Sequence, residues 1–508
     1  MSALEAAPEP LAPDPAAVRP RRFWRGLGVG LLALAMAVLL GERLWLAVER
    51  PLWLDETWTQ AIVSAPGGGF WREVYLDVNA PLYYVLMRGW TALFGLGDLS
   101  LRLPGLILAP LAAVLVWRGG WSGLSPRLRA MWGVLIFFWW GVGQFLDGRC
   151  YGLLLCFSVL LTLSFARLLR RPSLATGALW GALAALTVLT HYYALFIVAG
   201  QGLVLLGRWR LRAFKAWPAA VAFVPALAWM AYHAPRVAQY GRPDVAWHPP
   251  LSLDDALGVI GFSFAAYAPY LAIGAAVALI AFTLSSRLNP AAVAPTAAEP
   301  VDTAAWVTAA GLIALALALA SAALRPTLSP RYLIPLVPSI LLGVSLWAQA
   351  LRRAPAVPAA LMAAYVVFGL NPVALAQASR LGAPYGFEAG SRFLAAGGVT
   401  DLTYVWDHPA AKIMDPGSLQ RIGAAYFQRA GLKVAVHPLV AAQSDDPNRL
   451  LPAAAQGARP GLLWIYDREG RTAAHDHAPR IAQLDPRWTC RTFGDGQTGS
   501  MACLRAKP

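Results

Sequence analysis

Charge is scarce in this sequence. Asp, Glu, Lys and Arg make up 14% of its 508 residues, against roughly 25% in a soluble globular chain. So little charge, beside 58% hydrophobic residues and a mean hydropathy of +0.51, excludes both a water-soluble enzyme and a disordered chain, because no aqueous fold hides that much apolar surface. Cysteine is scarcer still. Four Cys are too few for a disulfide framework, and no Cys-x-x-Cys or Cys/His cluster suggests a structural zinc site. Cys150 and Cys156 lie in apolar stretches and read as small packing residues. Acid is short as well: 27 Asp and Glu face 42 Lys and Arg, for a net charge of +15. In a chain this apolar, such an excess marks cytoplasmic loops and lipid phosphates, and no nucleic-acid partner is expected. There is no P-loop and no Ser-His-Asp arrangement, which disfavours an NTP-fuelled reaction.

What is present is a succession of long apolar runs. Residues 1–25 form an Ala/Pro-rich, then Arg-rich, cytoplasmic N-terminus expected to be disordered. The run from Gly26 to about Val48 is too long for a signal peptide and lacks a small-residue cleavage site, so it reads as an uncleaved first transmembrane helix. A first external loop over 49–98 follows, and further spans are predicted at 99–117, 130–146, 151–169, 174–190, 193–207, 217–233, 267–285, 304–324, 332–350 and 356–377. The stretch Pro81 to Gly95 decides the topology, being short for a crossing that needs about 20 residues. If it lies in the outer interface as an amphipathic helix, every arginine cluster (Arg118/Arg127/Arg129, Arg167/Arg170/Arg171, Arg208/Arg210/Arg212/Lys215 and Arg352/Arg353) falls in the cytoplasm. The fold class is therefore an α-helical polytopic membrane protein of about eleven crossings with an external interfacial helix. The linker 287–303 reads as a mobile cytoplasmic loop.

From residue 378 the composition changes. Short apolar runs at 402–406, 434–436 and 462–466 alternate with helical stretches at 388–396 and 418–430, the pattern of a small soluble α/β domain on the external side. Cys490 and Cys503 flank the turn-like Gly494-Asp495-Gly496-Gln497-Thr498-Gly499 and face each other if it is a hairpin; a disulfide is expected if that end is exported.

The external edge collects the unusual side chains, and ionisable groups at a membrane edge are costly unless paired or wetted. Asp55-Glu56 reads either as an acid pair capping a short helix or, framed by Trp53, Leu54 and Trp58, as a partly desolvated base. Asp77 and Asn79, ahead of Tyr83, read equally as helix cap or as site. Asp147 and Arg149 form either a hairpin ion pair or a phosphate grip, for which a guanidinium is well shaped. His191, between Thr190 and Tyr192, suits an interfacial belt as well as a site. Arg331, before Tyr332, suits a lipid headgroup or a substrate phosphate.

Trp53-Leu54-Asp55-Glu56, Asn79-Ala80-Pro81-Leu82-Tyr83-Tyr84 with Phe94-Gly95 and Arg102, Asp147-x-Arg149-x-Tyr151, Thr190-His191-Tyr192 and Pro330-Arg331-Tyr332 occur in that order. Residues 26–377 with these motifs resemble the GT-C glycosyltransferases of the dolichyl-phosphate-mannose protein mannosyltransferase type, glycosyltransferase family 39, in their bacterial envelope branch. The resemblance implies a polyprenyl-phosphate-sugar donor and inverting transfer of a hexose or pentose to a hydroxyl of a lipid, glycan or protein acceptor. It also implies a periplasmic active face on a bacterial inner membrane. The first-loop base role falls on Asp55, with Glu56 as its accessory neighbour. Donor-phosphate binding falls on Arg149, His191 and Arg331, and Asp77, Asn79, Tyr83, Asp147, Tyr151, Tyr192 and Tyr332 complete the substrate site. Where the family often has His or Lys before its Pro-Pro-Leu-Tyr, this chain has Asn79-Ala80, which shifts the phosphate load onto those three residues. Neither a cofactor nor a metal is expected. The competing reading is a transporter or flippase of lipid-linked sugars; it predicts charges spread through mid-helix and related halves, whereas these charges gather at one face.

Overall fold

In a computed structural model of the 508-residue chain, the described residues are 15–49, 52–139, 147–242, 244–245, 250–264, 301–350, 386–439, 450–467, 477–494 and 498–506. The first part is helical throughout: α1 (Pro15–Glu49), α2 (Leu54–Val63), α3 (Gly69–Leu76), α4 (Leu82–Phe94), α5 (Asp98–Arg118), α6 (Pro126–Phe138), α7 (Tyr151–Arg170), α8 (Leu174–Thr190), α9 (Ala194–Trp209), α10 (Pro218–Tyr240), α11 (Leu253–Phe264), α12 (Val301–Leu324) and α13 (Val337–Ala350). Tight 3₁₀ turns at Arg210–Ala216 and Pro330–Leu336 link α9 to α10 and lead into α13.

Six described segments are long and apolar enough to cross a membrane: Leu27–Glu49, Asp98–Ser122, Tyr151–Arg170, Ala194–Ala216, Thr303–Leu324 and Pro330–Gln349. Of the other expected spans, 174–190 is a shorter apolar helix, α10 carries Pro225 and Pro235 inside it, and 130–146 is described only to residue 139, the end of α6 falling at Phe138. The segments 267–285 and 356–377, and the linker 287–303 up to residue 300, lie outside the described residues. The first helix starts at Pro15, well before the apolar run does. Pro15 suits a first turn and the arginines are good helix formers, while Pro20, at the sixth helical position, forgoes a backbone hydrogen bond.

The α4 helix has 13 residues, about 20 Å of rise, too little for a hydrocarbon core of about 30 Å. It buries Tyr83, Tyr84, Met87 and Thr91 along one side and exposes Leu86, Leu93 and Phe94 on the other, the two-faced character of a helix lying along an interface. Close approach fixes the frame beneath it. At Gly152 a Cβ would meet the Gly105 Cα at 2.9 Å, so α7 crosses α5 backbone to backbone.

The tail folds as a five-stranded sheet with helices on both faces: α14 (Gly386–Ala396), β1 (Asp401–Asp407), α15 (Pro416–Arg429), β2 (Ala435–Pro438), α16 (Leu451–Gln456), β3 (Gly461–Asp467), α17 (Ala478–Leu484), β4 (Trp488–Gly494) and β5 (Thr498–Arg505). The order is β2-β1-β3-β5-β4, with β1 parallel to β2 and β3, and β5 antiparallel to β3 and β4. Side chains alternate across the sheet. Tyr404, Trp406, Leu463 and Ile465 enter one core with Leu394, Ile422 and Phe427, while Val405, Leu462, Trp464 and Met501 enter another with Leu451, Ile481 and Trp488. Cys490 and Cys503 are register partners on β4 and β5 and are joined by a disulfide.

The tail sits on the first loop. Trp58 of α2 meets Trp406 of β1 with ring centroids 5.4 Å apart, and Trp58 and Ala61 belong to the same apolar cluster as the tail sheet. The Glu73 carboxylate accepts hydrogen bonds from Ser418 Oγ at 2.8 Å and from Arg421. Arg72 pairs with Asp415 at 2.6 Å, and Arg429 with Asp98.

Candidate active site

The site is built where four connections reach the same end of the helical bundle: the start of α2, the turn 147–150 before α7, the α8–α9 connection, and the 3₁₀ turn before α13. Asp55 and Glu56 both stand in the first turn of α2, where the helix dipole favours negative charge, but consecutive helical residues point about 100° apart. Their surroundings differ completely.

Glu56 points inward and is fully buried. Arg102 of α5, itself 1% exposed, grips it with two parallel bonds, Nε to Oε1 at 2.7 Å and Nη2 to Oε2 at 2.6 Å. The Gly148 N–H donates to Oε1 at 2.7 Å and the Trp53 N–H to Oε2 at 3.1 Å, while the third Arg102 nitrogen, Nη1, donates to the Ala47 carbonyl at 3.0 Å. One carboxylate thus joins the end of α1, the start of α2, α5 and the 147–150 turn. A Cβ at Gly148 would stand 3.2 Å from the Leu101 Cβ, so the absence of a side chain lets the turn come within reach of Glu56.

Asp55 points outward, with a quarter of its side chain exposed. Its Oδ2 lies 3.4 Å from Arg331 Nη2 and 3.8 Å from Arg149 Nη2, and Arg149 Nη1 donates to the Asp55 carbonyl at 3.2 Å. Three aromatic rings surround the Arg331 guanidinium: Trp53 at 5.3 Å, Tyr151 at 5.8 Å and Tyr332 at 5.9 Å to their centroids. This caging stabilises a cation where water is thin. Among the described residues the buried Arg331 Nε has no hydrogen-bond partner.

His191 is the C-cap of α8. Its Nδ1 accepts from the Tyr193 N–H at 3.3 Å and its ring lies 4.9 Å from Tyr332. Burial, then the Arg149 and Arg331 guanidiniums, push the imidazole down to about 3, so it is neutral and supplies hydrogen bonds rather than charge. For Arg149 the balance goes the other way: burial disfavours the cation, but Asp55, then Tyr84, Tyr151 and Asp77, hold its pKa above the ordinary arginine value.

Asp77 forms a second, adjoining group. Its Oδ2 accepts from the Tyr84 hydroxyl at 2.5 Å and from Asn79 Nδ2 at 2.9 Å. The end of α3 that carries Asp77 is held by α10: His233 Nε2 lies 2.9 Å from the Tyr75 carbonyl, while Arg236 Nε and the Tyr240 hydroxyl donate to the Leu76 carbonyl at 2.9 and 2.8 Å. Tyr192 turns toward this brace, its hydroxyl 2.6 Å from His233 Nδ1 and accepting from Trp229 Nε1 at 2.8 Å. Tyr83 and Asp147 are buried beneath the site. Of the residues the motifs single out, Asp55, Arg149, Tyr151, His191, Arg331 and Tyr332 therefore converge. Asp77 and Asn79 adjoin them with Arg149 between the two groups, and Glu56, Tyr83, Asp147 and Tyr192 stand behind. Sequence reasoning passed over His233, Arg236 and Tyr240, although a polar stripe at i, i+3 and i+7 on an otherwise apolar helix was there to read. Among the described residues no three His, Cys, Asp or Glu side chains gather as metal ligands.

No protein-family model and no curated protein matches the sequence. Solved structures do match in fold. ArnT from Cupriavidus metallidurans bound to undecaprenyl phosphate superposes with a TM-score of 0.55 at 12% identity, over 95% of this chain and 98% of that one. The apo form of the same protein gives 0.52 at 13% identity, over the same shares. At such identities the likeness speaks to fold alone: this chain follows the path of that protein over nearly the whole length of both.

Proposed function

We propose that this protein is a membrane glycosyltransferase that moves a sugar from a polyprenyl-phosphate-sugar to a hydroxyl of an envelope acceptor, with Asp55 as general base. The observation that carries the reading is the loose sharing of one half-buried carboxylate between two arginines, one of them with a buried Nε unpartnered among the described residues. A structural ion pair closes to bidentate contact, as Glu56 and Arg102 do; Arg331 and Arg149 hold Asp55 by longer single contacts and keep donor capacity for an oxyanion beside it. The fold shared with a protein crystallised with undecaprenyl phosphate supports a lipid-phosphate donor.

The chemistry needs little else. A donor phosphate entering beside Arg331 and Arg149 takes over their hydrogen bonds and frees Asp55 from them, which raises its basicity at the moment the substrate is bound. The acceptor oxygen attacks the anomeric carbon opposite the phosphate while Asp55 takes its proton. The carbon–oxygen bond to the phosphate breaks, and polyprenyl phosphate leaves with its new charge on the two guanidiniums. A single in-line displacement inverts the anomeric centre. His191 donates a hydrogen bond to the phosphate as a neutral group, and Glu56 positions Asp55 through the first turn of α2. Asp77, Asn79 and Tyr84 adjoin on the side from which the acceptor enters, and the active face is periplasmic on an inner membrane.

The test is turnover by the purified full chain given a polyprenyl-phosphate-sugar and envelope glycolipid as acceptor, followed by release of polyprenyl phosphate and by the anomeric configuration of the product. Inverted product that disappears with Asp55→Asn, in a variant that inserts and melts normally, is expected. Retained configuration, or near-normal turnover in that variant, would remove Asp55 as base.

A further inference from the structure

The other end of the bundle holds cations too, and among the described residues no acid pairs with those on the α9–α10 turn, Arg210, Arg212 and Lys215. About 10–20 Å along α8 and α9 from His191, the two helices, the start of α10 and the Arg210–Ala216 turn enclose a groove of about 330 Å³ lined by Trp180, Ala184, Gly202, Leu205, Phe214 and Trp217 among other apolar residues. Its floor reaches the backbone: a Cβ built at Gly202 meets nothing within 4 Å. Its rim is fixed, because a Cβ at Gly177 or Gly181 would strike Ala216 or Ala219 at 2.6 and 2.4 Å, so the turn and α10 lie directly on α8.

The rim is both basic and aromatic. Arg210, the one non-glycine residue with positive φ among the described residues (+46°), makes the reversal that lays the turn along the groove in a conformation side chains rarely adopt. Ala213 and Ala216 face inward, while Phe214 is 67% and Trp217 59% exposed, the composition of a membrane interface. Arg210, Arg212 and Lys215 are exposed, and no described residue pairs with their side chains. At the same end Arg129 donates to the Trp117 and Leu124 carbonyls, bracing its own hairpin, while Arg118, Arg127, Arg167, Arg170 and Arg171 are exposed like the three on the rim. Topology alone explains basic residues on this side of the membrane. It does not explain why three of them stand together on the rim of an apolar groove.

We propose that this groove holds an anionic phospholipid of the bilayer, with one acyl chain along the apolar lining and the phosphodiester on Arg210, Arg212 and Lys215. It is a fixed lipid site separate from that of Asp55 and does not depend on the enzyme reading. Charge complementarity selects the occupant: a zwitterionic headgroup presents its own cation to the same rim, and each basic residue near a bilayer surface adds to the preference for acidic lipid.

Native mass spectrometry of the delipidated full chain, titrated with phosphatidylglycerol or phosphatidylcholine of the same acyl chains, measures the preference directly. The wild type should retain phosphatidylglycerol at least about tenfold more strongly. Two variants should lose that margin: Arg210→Gly/Arg212→Gln/Lys215→Gln, in which glycine also relieves the turn, and Gly202→Leu, whose side chain enters open space and fills the floor. Equal retention of the two lipids by the wild type, or an undiminished preference in the charge variant, would overturn the proposal. Loss in the charge variant with Gly202→Leu unaffected would overturn the groove as the seat of the chain, and displacement of phosphatidylglycerol by polyprenyl phosphate at equal concentration would overturn the occupant.

Discussion

Asp55 and Glu56 are neighbours in sequence, chemically alike, and in opposite situations. Around Glu56 every group is satisfied: two arginine bonds, two backbone N–H donors and no exposed surface. Around Asp55 the contacts are long, the carboxylate is partly wet and an arginine nitrogen is left over. A residue that holds structure makes its bonds before any ligand arrives, and one that does chemistry keeps some unmade. The rotation of about 100° per helical residue is enough to separate the two roles.

The sharpest break of that comparison is a pair of isosteric changes. Asp55→Asn should cost about a thousandfold or more in transfer, the scale of losing a general base, with little change in melting temperature. Glu56→Gln should act mainly on the fold, lowering the melting temperature and reducing transfer less than Asp55→Asn does, because the amide leaves Arg102 buried and uncompensated. Arg102→Ala goes furthest on the structural side: stranding a buried carboxylate costs about 3–5 kcal/mol. Thermal melting in detergent reads it, and an unshifted transition would show that Glu56 is not the strut described.

Arg331 lies on the open side, so its loss should be felt by ligand more than by fold. Arg331→Ala removes charge-assisted bonds worth about 1.5–3 kcal/mol, a weakening of donor binding of roughly tenfold to a hundredfold, with acceptor KM and melting temperature close to wild type. Equal damage to donor and acceptor would assign it to site shape instead of to the phosphate.

Much of this was legible in the chain, for reasons that differ by region. The membrane class followed from composition, the interfacial α4 from its length, and the tail from its alternation of short apolar runs with helical stretches, since each is a local pattern. The convergence of Asp55, Arg149, His191 and Arg331 came from motif order, which places residues at one membrane edge without saying which touch. What could not be read was side-chain phase: nothing in Asp55-Glu56 says which acid turns inward until Arg102 and Gly148 are in place. The Glu73 contact was equally hidden, because its partners Ser418 and Arg421 lie more than three hundred residues away in a domain whose docking face no local pattern encodes.

That docking contact behaves like the Glu56 side of the comparison. Glu73 is buried and fully used, and it ties α3, the helix that ends at Asp77, to α15 of the tail. Glu73→Gln should weaken this seam by about 1–3 kcal/mol. Hydrogen exchange should rise in α3 and α15 together while α5 and α7 stay protected. Faster exchange in α15 alone would mean that the tail is held mainly by the Trp58–Trp406 contact and that α3 is fixed by α10.

His191 tests the open side with the smallest effect. Its imidazole is pushed from an ordinary 6.5 down to about 3 by burial, then by Arg149 and Arg331, so the unfolded chain takes up the proton first as pH falls. Stability is therefore level above about pH 6.5 and declines from there toward pH 3, by about 1 kcal/mol at pH 5.5 if only this group is counted. His191→Gln removes that decline without adding charge. The melting-temperature difference between wild type and variant should be constant from pH 7 to 8 and should shift in the variant's favour at pH 5.5. A difference that stays constant across the whole range would mean that the imidazole takes up its proton alike in the folded and unfolded chain, and one that moves in the wild type's favour as pH falls from 8 to 5.5 would mean that it already carries its proton between the two arginines, with three cations around Asp55 instead of two.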